Sequence, residues 1–294
     1  MRMTRKALTL SAAVGTVALA AALIPFATAS AAPAASPATA GVVPTPAHVV
    51  VVMEENHSYS DIIGSSSAPY INSLASSGAL LTDSFGVTHP SEPNYMALFG
   101  GSTFGLTSDA CPTNEGAKAN LGSELLAAGK TFKGYSEGLP STGSTTCSSG
   151  KYARKHSPWI NFSNVPGSDS VPFTQFPSSS SYASLPTLSF VIPNLNDDMH
   201  DGSISTGDTW LKNNLSAYAT WAKANNSLLI VTWDEDDYSE SNQIPTIVYG
   251  AGVKTGHYSE QINHYNLLAT LEQMYGLSPV GNSSGAAVIS DIWS

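Results

Sequence analysis

Two apolar runs, each ending in acidic residues, constrain this chain more than any other feature. Val49 to Met53 is unbroken apolar sequence, and it runs straight into Glu54-Glu55-Asn56-His57. Ser227 to Trp233 does the same and runs into Asp234-Glu235-Asp236-Asp237. Runs without polar alternation read as strands covered on both faces. The sequence around them alternates between shorter apolar runs (80–85, 131–135, 188–192, 246–249) and helical patterns (70–77, 93–99, 121–128, 209–223, 265–275). In the longest helical segment Trp210, Leu211, Leu215, Tyr218 and Ala222 share one face. This order implies an α/β fold, a mostly parallel central sheet flanked by helices. Sites in such sheets form at the C-terminal ends of the strands.

The chemistry-bearing residues fall where that rule points. Carboxylates and an amide after the first strand are hard oxygen donors suited to a divalent cation. Four acidic residues after 227–233 repel one another unless a cation or solvent screens them. One cation between the two strand ends explains both clusters, with a solvated loop or a helix cap as the plainer alternative. Between them lies Thr88-His89-Pro90-Ser91-Glu92-Pro93-Asn94-Tyr95. Pro93 sets the start of a helix, so Ser91 is either its N-cap or a nucleophile aided by helix-terminal N–H groups. The basic cluster Lys151-Tyr152-Ala153-Arg154-Lys155-His156 is a candidate phosphate seat. His200, in Pro193 to Gly202, follows another strand and could protonate a leaving oxygen or hold a structural contact. His264 precedes the last helix and could reach the same cleft.

The charge excludes other classes. Lys and Arg number 12 against 22 Asp and Glu, a net charge of −10 in 294 residues. A general nucleic-acid binder needs a basic face, and the acidic balance argues against one. Arg2, Arg5 and Lys6, an apolar stretch from Ala7 and A-x-A sites ending at Ala29 and Ala31 mark residues 1–31 as a signal peptide. A secreted (extracellular) protein with no stable membrane insertion after cleavage is expected. Residues 32–46 read as an Ala/Pro-rich linker, and 47–294 read as one further domain. Cys111 and Cys147 are the only thiols, and in an exported chain they pair, with two buried free thiols as the alternative.

Val-Met-Glu-Glu-Asn-His-Ser-Tyr (52–59), His-Pro-Ser-Glu-Pro-Asn-Tyr (89–95), Lys-His-Ser-Pro-Trp (155–159), Ile-Pro-Asn-Leu-Asn-Asp-Asp-Met-His-Asp-Gly (192–202) and Val-Thr-Trp-Asp-Glu (231–235) together resemble the bacterial phosphoesterase family. That family contains acid phosphatases and phospholipases C within the alkaline-phosphatase superfamily. The resemblance implies an alkaline-phosphatase-like fold and a phosphomonoester substrate, including a phosphoinositide headgroup. It implies Ser91 as nucleophile and His156 and His200 at the phosphate; the basic cluster sets Lys155 and Arg154 at the substrate, and Asn94 and His89, beside Ser91, are expected there too. The resemblance implies one divalent metal ion (Ca, Mg, Mn or Zn) on Glu55, Asn56, Asp234 and Glu235. Asn196 stands where two-metal members carry an aspartate, so one metal is expected. A phospholipase C-like diesterase is the alternative, and a non-catalytic secreted metal-binding protein a more distant one. A monomer is expected.

Overall fold

The computed structural model describes residues 41–294, so the expected signal peptide and the first part of the linker lie outside the described residues. Among the described residues the strands are β1 (His48–Glu54), β2 (Ala79–Leu81), β3 (Ser84–Phe85), β4 (Phe132–Ser136), β5 (Ser148–Ser149), β6 (Tyr152–Ala153), β7 (Ser170–Pro172), β8 (Leu188–Ile192), β9 (Ser227–Trp233), β10 (Thr246–Gly250), β11 (Gly256–Tyr258) and β12 (Ile262–Asn263). The helices are α1 (Tyr59–Ile62), α2 (Pro69–Ser77), α3 (Ser91–Gly100), α4 (Leu121–Ala127), α5 (Ile204–Ala224) and α6 (His264–Tyr275).

Eight strands form one sheet in the order β11-β2-β10-β9-β1-β8-β4-β7. β1 is parallel to both neighbours, with Val51 opposite Phe190 and Ile230. β10 is antiparallel to β9 and to β2. The architecture is the expected α/β fold, a mostly parallel central sheet flanked by helices.

Strand periodicity divides the valine run of β1 between two cores. Val49, Val51 and Met53 pack with α3, α4 and α6 through Tyr95, Phe99, Leu125, Leu268 and Leu271. Val50 and Val52 pack with α2 and α5 through Ile71, Leu74, Leu211, Leu215 and Tyr218. Both faces are therefore dry, which is why the run lacks polar alternation. Gly134 of β4 lies under the indole of Trp159, where a Cβ would overlap the ring.

Several boundaries differ from expectation for local reasons. The run 80–85 breaks at Thr82-Asp83 into β2 and β3, and β3 pairs with β12 instead of joining the main sheet. α5 starts at Ile204, five residues before the expected start at 209, because the Ser203 side chain accepts from Thr206 N at 3.2 Å. β7, β11 and the β5–β6 hairpin are short and carry no apolar run. Cys111 and Cys147 are disulfide-bonded, with Cα atoms 5.8 Å apart, and tie the loop after α3 to that hairpin. Among the described residues no helix is long and apolar enough to cross a membrane.

Candidate active site

The C-terminal ends of β1, β8 and β9 lie side by side, so residues 54–57, 193–202 and 234–237 meet above one sheet edge. α3 enters the same place. The loop before it is folded around Asn94, which is fully buried. Asn94 Oδ1 accepts from Val87 N at 2.9 Å and Thr88 N at 3.0 Å. Its Nδ2 donates to Thr88 O at 2.8 Å and Pro90 O at 3.2 Å. Pro90 occupies the N-cap position and Ser91 is the first helical residue. The hydroxyl of Ser91 is thus not a cap. It lies 3.1 Å from Glu55 Oε2 and 3.1 Å from Glu235 Oε1.

Glu55 is the hub. Its Oε1 also receives the hydroxyl of Tyr95, one turn along α3 from Ser91, and lies 3.1 Å from His156 Nε2. His156 Nδ1 is 3.4 Å from Asp198 Oδ2, and Asp198 Oδ1 accepts from His200 N at 2.8 Å. Asp234 Oδ1 accepts from Asn56 N at 3.2 Å, and Asp234 O lies 2.7 Å from His264 Nε2. Glu55, Asp198, Asp234 and Glu235 are all buried. Burial first, and then the charge of Asp234, pushes the Glu55 carboxyl well above its ordinary value. Burial likewise raises Asp234, and pushes Asp198 and Glu235 up to about 7. Burial pushes His156 well below its ordinary value, so the ring is neutral.

The rim is more polar. Lys155 Nζ is 2.7 Å from Asp109 Oδ2, and Asp109 Oδ1 accepts from Glu92 N at 2.9 Å, in the first turn of α3. His89 bridges Glu235 Oε2 at 2.5 Å and Asp236 Oδ1 at 3.2 Å. His200 is partly exposed, and its Nδ1 lies 2.8 Å from Asp201 Oδ1.

Ser91, His156, Glu55, Asp234, Glu235 and His89 are thus drawn into one network, with Asn56 beside Asp234. Two of the residues expected at the substrate are elsewhere. Asn94 directs all of its amide hydrogen bonds to backbone groups of residues 87–90. Arg154 is buried, and its guanidinium donates to Thr145 O, Thr113 O and Asn161 Oδ1. Its guanidinium is thus committed to acceptors of the protein itself. His264 braces the Asp234 backbone. Tyr95, Asp109 and Asp198 have no role in the sequence reading. Tyr95 follows Ser91 at helical i, i+4 spacing and Asp198 precedes His200 by two residues, so both carried a signal. Asp109 carried none.

This donor set fits a divalent cation. Asn56 Oδ1 and Asp234 Oδ2 are buried oxygens without a hydrogen-bond donor, and unmatched buried acceptors beside repelling carboxylates are what a hard cation satisfies. Glu55, His156 and Asp198 form a second, overlapping group, with one ligand atom from each within 4.8 Å of the others. Glu55 is common to both.

Residues 65–278 match the Phosphoesterase family. The chain belongs to that family. It is 63% identical to the phosphatidylinositol-3-phosphatase of Mycobacterium tuberculosis over 86% of this chain and 85% of that protein. It is 31% identical to an acid phosphatase of Aspergillus fumigatus over 81% of this chain, but spans only 57% of that longer protein. Its fold is similar to a solved alkaline-phosphatase-superfamily protein from Vibrio parahaemolyticus, with a TM-score of 0.57, 11% identity, and coverage of 86% of this chain and 73% of that one. This phosphoesterase-family chain is accordingly a hydrolase of phosphoric esters.

Proposed function

We propose that the enzyme is an exported phosphomonoesterase of the acid phosphatase type that works through a phosphoserine on Ser91. The observation that carries the reading is the Ser91 hydroxyl, held 3.1 Å from each of two buried carboxylates where the strand ends meet. A serine kept only for packing would not be set between two anions. The disulfide supports an oxidising compartment, and the Mycobacterium tuberculosis relative supports a phosphoinositide headgroup among the substrates.

Ser91 Oγ attacks phosphorus in line, and its proton passes to a neighbouring carboxylate. The bond from phosphorus to the alcohol oxygen breaks, and the alcohol leaves with a proton. His200 supplies that proton. Its Nδ1 faces Asp201, which leaves the other ring nitrogen for the substrate, whereas both nitrogens of neutral His156 face carboxylates. Lys155 neutralises a phosphoryl oxygen. Water then attacks the phosphoserine and releases phosphate. Glu55, Asn56, Asp234 and Glu235 would hold one divalent ion, which when bound lowers the hydroxyl's pKa and offsets phosphoryl charge.

The test compares p-nitrophenyl phosphate with its bis-ester, using purified enzyme with and without chelator and the Ser91→Ala variant. The expected result is monoester preference, chelator sensitivity and a kcat loss of at least about 10³-fold in Ser91→Ala. Retained activity in Ser91→Ala overturns the nucleophile. Preference for the bis-ester overturns the monoesterase.

A further inference from the structure

Among the described residues Tyr238 is the one exposed Phe, Tyr or Trp, with 71% of its surface in solvent. Its backbone lies in the left-handed region at φ +68, which costs a non-glycine residue about 1 kcal/mol or more. The loop is built to hold it there. Buried Asp236 accepts from Tyr238 N at 2.8 Å through Oδ1, and from Glu240 N and Asn242 N through Oδ2. The phenol ring lies on His89, with centroids 3.9 Å apart and planes 20° apart. His89 is in turn fixed by Glu235 and Asp236, and Glu235 touches Ser91 Oγ. A strained, exposed ring gains nothing from burial, yet one face is seated rigidly, one imidazole away from the Ser91 partner.

We propose that Tyr238 is a substrate platform, on which the ring of the leaving alcohol stacks when the phosphoryl group is at Ser91. The substrate class it selects is phosphomonoesters of cyclic alcohols, whose C–H or π face matches the phenol and whose hydroxyl rim can meet its O–H. Open-chain alcohols such as glycerol present no such face. The inference rests on the monoesterase reading above.

The test measures kcat/KM for myo-inositol 3-phosphate and for glycerol 2-phosphate in the wild-type enzyme, Tyr238→Ala and Tyr238→Phe. The ratio of the two values is the readout, because any general damage to His89 or the fold affects both substrates and cancels. The platform predicts that the ratio falls about 2- to 10-fold in Tyr238→Ala, mainly through KM for the ring substrate, and is largely kept in Tyr238→Phe. An unchanged ratio in Tyr238→Ala overturns it. A fall seen with dioctanoyl phosphatidylinositol 3-phosphate but absent with the free headgroup also overturns it, since the ring would then serve acyl chains. A wild-type enzyme that cleaves neither monoester refutes the monoesterase reading itself, a result distinct from the other two.

Discussion

Asn94→Ala separates two roles that predict different experiments. A substrate contact at Asn94 would raise KM and leave the fold alone. The structure instead gives the fully buried side chain four hydrogen bonds to the partly buried backbone of residues 87–90. Alanine leaves two N–H groups and two carbonyls without that partner. At about 1 kcal/mol for each bond, partly offset by relaxation of the loop, the loss is about 3 kcal/mol. For a chain of this size that lowers Tm by roughly 6–12 °C. Ser91 follows Pro90 directly, so loosening the loop moves the hydroxyl away from Glu55 and Glu235. Displacement of about 1 Å costs on the order of 10²-fold in rate. Differential scanning calorimetry and steady-state kinetics on p-nitrophenyl phosphate should therefore show a lower Tm, a kcat down about 10²-fold and a KM changed less than about threefold. A raised KM with Tm and kcat intact would refute the clamp and restore Asn94 to the substrate.

Two other outcomes follow from features away from the reacting atoms. Glu272 on α6 accepts from Val280 N and Ser283 Oγ, and burial pushes its carboxyl up to about 7. In the unfolded chain it ionises near pH 4.3, so its contribution is full below that pH and is lost as pH rises to about 7. Thermal melts should show this component, about 1–2 kcal/mol after solvent screening, removed in Glu272→Gln; the same pH slope in both proteins would contradict the assignment. Joint replacement of Cys111 and Cys147 by serine opens a loop spanning 36 residues, which by chain entropy costs about 4 kcal/mol. A Tm within 2 °C of the parent's under oxidising conditions would refute that estimate.

The sheet was legible because its central strands are dry on both faces, and an unbroken run such as Val49 to Met53 cannot be read otherwise. The acidic strand ends were legible for the same reason, since carboxylates directly after such runs must lie at the sheet edge. Partners that are backbone atoms were not legible. The Asn94 amide closes on its own loop, and no pattern in the residue types displays that. Arg154 and Lys155 are adjacent and chemically alike, yet one turns to carbonyls in the interior and the other to Asp109, a choice made by the turn at 154–156. Asp109 itself acts on residues 17 and 46 positions away, from a loop with neither periodicity nor motif.

The position of β1 has a consequence for how the chain is made. Among the described residues the earliest strand in the sequence lies in the middle of the finished sheet, and it pairs with β8 and β9, not with its sequence neighbour. Neither partner exists until residues 188–192 and 227–233 have been synthesised. Four consecutive valines therefore wait, unpaired and adhesive, for most of translation. Pairings this distant in sequence form late and slowly, and a strand edge left open in the meantime invites association with other nascent chains. Yield from a heterologous host should consequently depend on what shelters the first hundred residues more than on the stability of the folded enzyme.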